Sequence, residues 1–328
     1  MKRFAFAILS ILLILPLLSC ASLASKVGIT PLARRLDRYL HPPGGTIGVS
    51  YMNLETGVTF VHDDDAVFHA ASTVKVPLMM GLFQAIDDKQ LRLDQPIAIR
   101  NQFPSLIDGS NFTLDPKEDG DPDLYQAIGS TRTVEELIRR MIVRSSNLAT
   151  NLLIEQIGAS RVRDLMLTLG AYRIQILRGV EDDKAYQAGI NNITTAGDLA
   201  TLLGALVKED TFKPASTARM LEILKAQEFN EKIPAGLPPG TVVAHKTGDI
   251  TGTHHDAAIV FPPGVKPYIL VVLTEGYPDE ASADHAIAEI SRVVWEERAD
   301  LPLARPGKEK EKTDEKEHRS GEAEHRDG

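Results

Sequence analysis

The stretch "FHAASTVKVPLMMGLF", residues 68–83, passes from polar to apolar residues and places a serine and a lysine three positions apart, at Ser72 and Lys75. Its apolar residues predict a helix from Val74 to Ile86. Because residues i and i+3 lie on one face of a helix, the Lys75 amine would lie near the Ser72 hydroxyl. A serine hydroxyl becomes nucleophilic when a nearby base takes its proton, and a lysine with a lowered pKa is such a base. The pair alone also fits the polar start of a capped amphipathic helix with a solvated lysine.

Strand and helix patterns outside this stretch predict the fold class. Strand patterns lie near both chain ends, at residues 46–54, 58–63, 241–248, 256–263 and 268–276. Helical patterns lie mainly between them, at residues 133–143, 147–158, 160–170, 194–207 and 216–227, and a last helix is expected at about 281–298. We therefore predict a mixed α/β fold of the α+β type, in which the two chain ends complete a sheet and an all-α lobe is inserted between them. A cleft between the sheet and the inserted helices follows.

The composition is that of a globular protein with a small-molecule substrate. The chain has 328 residues, of which 43% are hydrophobic and 25% charged. Its formal net charge of -9 argues against a nucleic-acid partner, because no basic patch stands out to neutralise phosphates.

The N-terminal residues predict export. A basic start, Lys2-Arg3, precedes an apolar run over residues 4–18, which is typical of a secretory signal. At about 15 residues the run is shorter than the roughly 20 that span a bilayer as a helix. The sequence LLSC ending at Cys20 resembles the lipobox of bacterial lipoproteins, so residues 1–20 are interpreted as a lipoprotein-type signal peptide and Cys20 as the lipidated residue. The alternative is an ordinary signal cleaved after Ala24. Both predict a periplasmic or cell-envelope protein.

The other end of the chain predicts a solvated tail. Residues 305–328 alternate basic and acidic side chains and contain almost nothing apolar, so they cannot bury a core. We expect a charged disordered tail, with a partner-binding segment as the alternative. One folded domain is then expected over residues 26–300. Cys20 is the only cysteine, so that domain has neither a disulfide nor a catalytic thiol.

Two further motifs favour the catalytic interpretation of Ser72 and Lys75. The segment "VRSSNLATNLL" contains Ser145-Ser146-Asn147, and "HKTG" contains Lys246-Thr247-Gly248. Their order is that of the penicillin-recognising serine enzymes. The chain at this point resembles class A β-lactamases and their penicillin-binding relatives, and similar segments extend over most of residues 30–298. The resemblance implies a β-lactamase/transpeptidase-like fold, with an antiparallel sheet and flanking helices built from both chain ends, an inserted all-α lobe, and the site in the cleft.

The same resemblance implies roles for the residues of the three motifs. Ser72 would be the acylated nucleophile and Lys75 its proton acceptor. Ser145 would pass a proton to the leaving nitrogen, and Asn147 would hold the substrate amide and Lys75.

The third motif would bind the rest of the substrate. Lys246 and Thr247, followed by Gly248, would bind its carboxylate, and Lys246 would also polarise Ser145. The backbone N–H groups of Ser72 and Asp249 would form the oxyanion hole. Two lysines in one cleft lower each other's pKa, so Lys75 can be neutral part of the time while Lys246 stays charged beside an anionic substrate.

The loop over residues 178–195 departs from the family pattern. Glu181 is the candidate for the deacylating base, but it is one residue further from the loop arginine, Arg178, than in class A enzymes. Ala185 stands where an asparagine usually helps to hold the water, and Asn192 where an aspartate pairs with the arginine. Despite these departures, Glu181 is interpreted as a general base. The alternative is an acidic residue at a helix start or on the surface.

Other departures concern the rim of the cleft. Ser146 replaces an aspartate whose role in the family is mainly structural. His254 or His255 stands where an arginine often binds the substrate carboxylate, and Lys232 is a candidate substitute. Residues 101–130 are longer than the family's usual connection, and we expect them to edge the cleft.

A metal or cofactor is not expected. A metal site built from His245, His254, His255 and Asp256 is disfavoured, because adjacent residues of a strand point to opposite faces. Neither a phosphate loop nor a dinucleotide fingerprint is found.

The sequence thus predicts a monomeric serine hydrolase that opens β-lactam rings through an acyl-Ser72 intermediate. The first alternative is a D-alanyl-D-alanine peptidase or penicillin-binding protein, acting on peptidoglycan peptides, that deacylates slowly. The second is a non-catalytic β-lactam sensor or envelope-binding protein.

Overall fold

The two ends of the chain complete one antiparallel sheet, as predicted. The computed structural model describes residues 31–208 and 210–298. Five strands form the sheet in the order β2, β1, β11, β10, β9. Their bounds are Thr46–Asn53 (β1), Thr59–His62 (β2), Val242–Ile250 (β9), Thr253–Phe261 (β10) and Tyr268–Glu275 (β11).

Pairs of short strands brace the connections outside this sheet. They are β3 (Phe68–His69) with β8 (Ile193–Thr194), β4 (Pro96–Ala98) with β7 (Thr131–Thr133), and β5 (Phe103–Pro104) with β6 (Asn111–Phe112). The sequence analysis did not predict these pairs, because two or three residues are too few for an alternating pattern to be seen.

Helices cover both faces of the sheet. They are α1 (Pro31–Leu40), α2 (Lys75–Asp87), α3 (Val134–Val143), α4 (Asn147–Ile157), α5 (Ala159–Thr168), α6 (Asp183–Gln187), α7 (Ala196–Val207), α8 (Pro214–Lys225) and α9 (Glu280–Glu297). Two of them, α1 and α6, were not predicted. The buried residues of α1 are Leu32, Leu36 and Leu40, a helical period that the sequence does contain, whereas α6 is only five residues long.

The sheet separates two hydrophobic cores. Ile269, Val271 and Leu273 of β11 pack into the larger core with the helical lobe. The alternate residues of the same strand pack on the other side, with α1 and α9. Side chains that point to opposite faces at every second position explain this division.

Helix α2 runs through the larger core. Ten of its 13 residues are buried, so it is an interior helix rather than an amphipathic surface helix. A short 3-10 helix, Ala71–Val74, precedes it. Lys75 is fully buried, which excludes the alternative of a solvated lysine at the start of a surface helix.

The predicted signal peptide with Cys20 and the predicted charged tail lie outside the described residues. Within residues 31–208 and 210–298, no helix has both the length and the apolar character needed to cross a membrane.

Candidate active site

Ser72 lies in the 3-10 helix that leads into α2, at the edge of the sheet. Lys75 Nζ is 2.8 Å from Ser72 Oγ, so the three-residue spacing brings the two groups together as predicted. The preceding Ala71 has a φ of +43°, a left-handed conformation that a non-glycine residue rarely adopts. Its backbone N–H donates to His69 Nδ1 at 3.1 Å.

The Lys75 amine is surrounded by oxygen atoms of the second motif. Nζ lies 2.6 Å from the Ser145 carbonyl oxygen, 3.1 Å from Ser145 Oγ and 2.7 Å from Asn147 Oδ1. Burial lowers the pKa of Lys75 to about 7, although the nearby carboxylates of Asp119 and Glu181 favour the charged form. Lys75 therefore exchanges its proton near neutral pH, as a base for Ser72 must.

The start of α4 positions the second motif. The fully buried Ser146 caps this helix, and its side chain accepts a hydrogen bond from the backbone N–H of Ala149 at 3.2 Å. Ser146 therefore has a structural role at the position where relatives carry aspartate. Ser145, just outside the helix, has a φ of +58°, so its carbonyl and its hydroxyl both lie against Lys75.

Glu181 lies in the site and not on an exposed surface. Asn147 Nδ2 donates a hydrogen bond to Glu181 Oε1, so Asn147 connects Glu181 to Lys75. Burial raises the pKa of Glu181, and the negative charge of Asp119 adds to the increase, which together outweigh the hydrogen bond from Asn147 and the charge of Lys75. Glu181 is not itself the cap of α6, because the neighbouring Asp182 has that position.

Position 192 is an asparagine, so the 178–195 loop is held closed without an ion pair between Arg178 and a carboxylate at that position. Arg178 donates to the carbonyl oxygens of Gly179 and Ile190 and to Asn191 Oδ1. Asn192 Oδ1 accepts a hydrogen bond from the backbone N–H of Leu177 at 2.8 Å, and its Nδ2 donates to the Arg178 carbonyl at 3.0 Å. Neutral hydrogen bonds to the backbone thus close the loop.

Ala185, at the position where the resemblance implies an asparagine, is buried in α6 and has only a methyl group. This position therefore contributes no polar side chain to hold a water beside Glu181.

The third motif lies on β9, against the backbone of Ser72. A Cβ atom added at Gly248 would lie 3.0 Å from the Thr73 backbone nitrogen and 3.1 Å from that of Ser72. These distances are tighter than ordinary Cβ contacts, so a larger residue at position 248 would push β9 and the 3-10 helix apart by a few tenths of an ångström. Lys246 is fully buried and its Nζ donates to the Thr247 carbonyl oxygen at 2.8 Å.

Lys246 is also less basic than an ordinary lysine. Burial lowers the pKa of Lys246 well below its ordinary value, and the charge of Lys75 adds to the effect. An incoming carboxylate would favour the charged form of Lys246.

Asp249, the next residue of β9, belongs to an ion-pair cluster at the end of the cleft. Lys232 Nζ is 3.0 Å from Asp249 Oδ1 and 3.0 Å from Asp284 Oδ1. Burial opposes a charge on Lys232, but the two carboxylates outweigh it and raise the pKa of Lys232. His254 Nδ1 lies 3.0 Å from Asp249 Oδ1. Asp249, His254 and Asp284 are close enough to share a metal ion, but the Lys232 ammonium already supplies a cation to both carboxylates.

The remaining histidines of the disfavoured metal site have other partners. His245 pairs with the buried Asp256 at 3.0 Å. His255 Nε2 lies 2.9 Å from the His69 carbonyl oxygen, and burial lowers the pKa of His255 to about 4.

Sequence reasoning missed two residues that support the site. Asp119 accepts hydrogen bonds from the backbone N–H groups of Asn147 and Leu148 at the start of α4. Asn151 holds the backbone of Val180, with its Oδ1 2.7 Å from the Val180 nitrogen. Asn151 lies one helical turn after Asn147, so helical spacing could have indicated it. Asp119 lies in a loop, where no periodicity marks it.

The geometry suits acyl transfer to a serine. A buried amine with a pKa near neutrality touches the Ser72 hydroxyl, and a carboxylate with a raised pKa is connected to the same amine through one amide side chain. Groups of this kind exchange protons with a nucleophile and with a water molecule.

Comparison with known proteins agrees with this chemistry. The model of the Beta-lactamase enzyme family matches residues 31–297. The β-lactamase of Streptomyces albus G is 26% identical over 268 residues, which cover 80% of this chain and 83% of that protein.

Solved structures agree as well. The structure of PBP-A matches with a TM-score of 0.70 and 28% identity, over 82% of this chain and 96% of that one. A variant of PBP-A, solved as an acyl-enzyme complex with penicillin G, matches with a TM-score of 0.70 and 29% identity over the same shares of the two chains. A β-lactamase from Sphaerobacter thermophilus DSM 20745 matches with a TM-score of 0.68 and 28% identity, over 84% of this chain and 100% of that one. Because the family model spans nearly all of the described residues, the chain belongs to the Beta-lactamase enzyme family.

Proposed function

We propose that this protein is a serine β-lactamase of the class A type. The observation that carries the proposal is one continuous hydrogen-bond network. It runs from Ser72 Oγ through Lys75 Nζ and Asn147 to Glu181. The network joins a nucleophile and its base to a second base, which the two halves of a hydrolytic cycle require.

In the first half, neutral Lys75 takes the proton of Ser72, and Ser72 Oγ attacks the β-lactam carbonyl carbon. The ring C–N bond then breaks, and Lys75 returns the proton through Ser145 to the leaving nitrogen. Backbone N–H groups of Ser72 and Asp249 would stabilise the oxyanion, at the point where β9 approaches Ser72 most closely.

In the second half, Glu181 takes a proton from water, and the resulting hydroxide attacks the acyl carbon. The bond to Ser72 Oγ breaks, and that oxygen receives the proton that Glu181 took from the water, which regenerates both residues. The raised pKa of Glu181 makes this carboxylate a stronger base than an exposed one.

The substrate carboxylate would be bound by Lys246 and Thr247, with Asn147 holding the amide of the acyl side chain. Both Lys246 and Thr247 are buried against the cleft. An anionic substrate restores the charge of Lys246.

The decisive experiment is intact mass against time for the protein mixed with penicillin G, with the free drug measured in parallel. We expect drug loss in many-fold excess over protein with at most a transient adduct, and Ser72→Ala should form no adduct. An adduct that persists at one per protein, without turnover, would contradict the proposal.

A penicillin-binding protein acting on peptidoglycan peptides is the second candidate. Two features bear on it: Ala185 stands where the resemblance to class A enzymes implies an asparagine near the deacylating carboxylate, and PBP-A is among the similar structures. A long-lived adduct identifies this function. Neither adduct nor drug loss would instead favour the non-catalytic sensor.

We further propose that the protein acts as a monomer exported to the cell envelope and anchored by a lipid on Cys20. The basic and apolar start and the LLSC sequence support export and lipidation. Metabolic labelling with a radioactive fatty acid should mark the full chain and not Cys20→Ser. Sedimentation of a shortened protein that starts after Cys20 tests whether the protein is a monomer.

A further inference from the structure

A short hairpin packs against the loop that carries Glu181. This 103–112 hairpin, formed by β5, β6 and the turn between them, lies in the stretch over residues 101–130 that was expected to edge the cleft. The Asp182 carboxylate is buried beneath it. Asp182 Oδ1 accepts from Ser105 Oγ at 2.9 Å, and Oδ2 accepts from the Leu106 backbone N–H at 2.8 Å. The hairpin and the loop are therefore joined through the buried Asp182 and, on the exposed side, through Lys184, whose Nζ donates to Asp108 Oδ2 and Ser110 Oγ at 2.7 Å.

Asp182 also organises its own segment of the loop. Its Oδ1 accepts from the backbone N–H of Ala185 at 3.2 Å and so caps α6. Burial alone would raise the pKa of Asp182, but the hydrogen bonds from Leu106, Ala185 and Ser105 outweigh it and hold that pKa below its ordinary value. The carboxylate is thus charged and saturated with donors at neutral pH.

Glu181, the residue before it, needs such support. Its φ is +59°, a strained conformation that persists only where the surroundings fix it. On one side Asn151 holds Val180 through both its oxygen and its amide nitrogen. On the other side the contacts of Asp182 to the 103–112 hairpin hold the chain. The hydrogen bonds that Arg178 donates all go to uncharged oxygen atoms. The 103–112 hairpin therefore supplies part of the support that holds the loop in place.

We propose that Asp182 is a positioning residue for deacylation, which fixes the Glu181 carboxylate by joining the loop to the 103–112 hairpin. This inference rests on the proposed function. Asp182 touches neither Ser72 nor Lys75 in these contacts, so we expect its main effect on the step that uses Glu181 as the base. A displacement of a catalytic group by about 1 Å costs on the order of 100-fold in rate.

The test measures acylation and deacylation rates with penicillin G separately, by time-resolved intact mass. We expect Asp182→Ala to slow deacylation about 100-fold and to leave acylation within about threefold. Because deacylation then limits turnover, kcat and KM should fall together while kcat/KM stays unchanged. The control is Asp164→Asn, an exposed carboxylate on α5, which should behave as the wild type.

Ser105 gives a milder variant in case Asp182→Ala folds poorly. Ser105→Ala should slow deacylation about tenfold, and Ser105→Thr, which keeps the hydroxyl, should restore it. A Glu181→Gln background provides the sharpest readout. There Ser105→Ala and Asp182→Ala should have no further effect on deacylation, because both act through Glu181.

Wild-type deacylation in Ser105→Ala and Asp182→Ala would overturn the inference. So would an equal loss in acylation and deacylation, which indicates general damage to the site. The proposed function fails separately: in that case the wild-type protein itself forms no adduct or never releases it.

Discussion

Lys75 shows how much a single buried side chain contributes to the site. Its amine lies within hydrogen-bond distance of four oxygen atoms from three residues. A lysine ammonium has three protons to donate, so not all four contacts hold at once. Loss of one proton gives the amine a lone pair for the hydrogen of Ser72. The crowded oxygens thus hold the amine in place in either protonation state.

The first prediction is the pH dependence of acylation. Burial lowers the pKa of Lys75 to about 7, so the neutral base is lost as the pH falls below that value. Acylation should therefore be constant well above pH 7 and fall about tenfold per pH unit well below it. Stopped-flow measurement of a single turnover with a chromogenic β-lactam checks this. An acylation rate that is constant from pH 5 to 8 would exclude Lys75 as the base.

The second prediction concerns Glu181. Replacing it with glutamine keeps the size of the side chain but removes the base, so deacylation should slow by about 10²- to 10⁴-fold. Acylation should stay within about threefold, and intact mass should show an accumulated adduct. Asp164→Asn, at an exposed carboxylate of α5, is the control, and unchanged turnover in Glu181→Gln would remove Glu181 from the mechanism.

Single residues also show how much of the site could be predicted from the sequence. Ser72 and Lys75 were predictable as a pair because helical spacing fixes their distance, and Asn147 because it belongs to the Ser145-Ser146-Asn147 motif of the family that the chain resembles. Asp182 and its partner Ser105 were not, since 77 residues separate them and neither lies in a periodic segment. The same holds for the Lys232 ion pair with Asp284. Such contacts depend on tertiary packing of loops, which no local pattern encodes.

At the scale of elements, β9 is the part that the rest of the site depends on. This strand brings Gly248 against the backbone of Ser72 and Thr73, so the separation of β9 from the 3-10 helix depends on the missing side chain. The sheet itself was predictable, since short runs rich in β-branched and other apolar residues, such as YILVVL in β11, mark its strands. The exact approach of β9 to Ser72 was not, because it depends on how the helical lobe seats on the sheet.

The third prediction is that Gly248→Ala impairs acylation by at least about tenfold, because the added methyl group pushes β9 away from Ser72. Gly204→Ala in α7 is the control: its Cβ would meet Ile269 at an ordinary 3.6 Å. That change should keep activity and stabilise the helix by about 0.5–1 kcal/mol. Acylation rates and thermal unfolding of both variants test the pair. Full activity in Gly248→Ala would show that the close approach is not required.

At the scale of the whole molecule, the sheet places the active site and the second core on different sides of the protein. The second core contains Tyr51 and Tyr268, whose rings lie 5.5 Å apart. Within residues 31–208 and 210–298, the buried Tyr268 hydroxyl has no hydrogen-bond partner. A buried polar group without a partner destabilises a fold.

The fourth prediction is that Tyr268→Phe raises the free energy of unfolding by about 1 kcal/mol and leaves turnover unchanged. Chemical denaturation and steady-state rates measure the two effects. Tyr39→Phe is the contrasting variant, because the Tyr39 hydroxyl donates to Glu289 at 2.6 Å and its loss should not stabilise the protein. A destabilised Tyr268→Phe would show that the hydroxyl has a partner.

The left-handed residues of the site have a consequence for its behaviour on warming. Among the described residues, six other than glycine have a positive φ, and three of them, Ala71, Ser145 and Glu181, adjoin or form the network around Lys75. Each such residue costs on the order of 1–3 kcal/mol, a cost that local opening of the site would relieve before the sheet melts. The fifth prediction is therefore a reversible loss of turnover several degrees below the unfolding midpoint seen by circular dichroism. If activity and ellipticity disappear together, the site opens only with the rest of the fold.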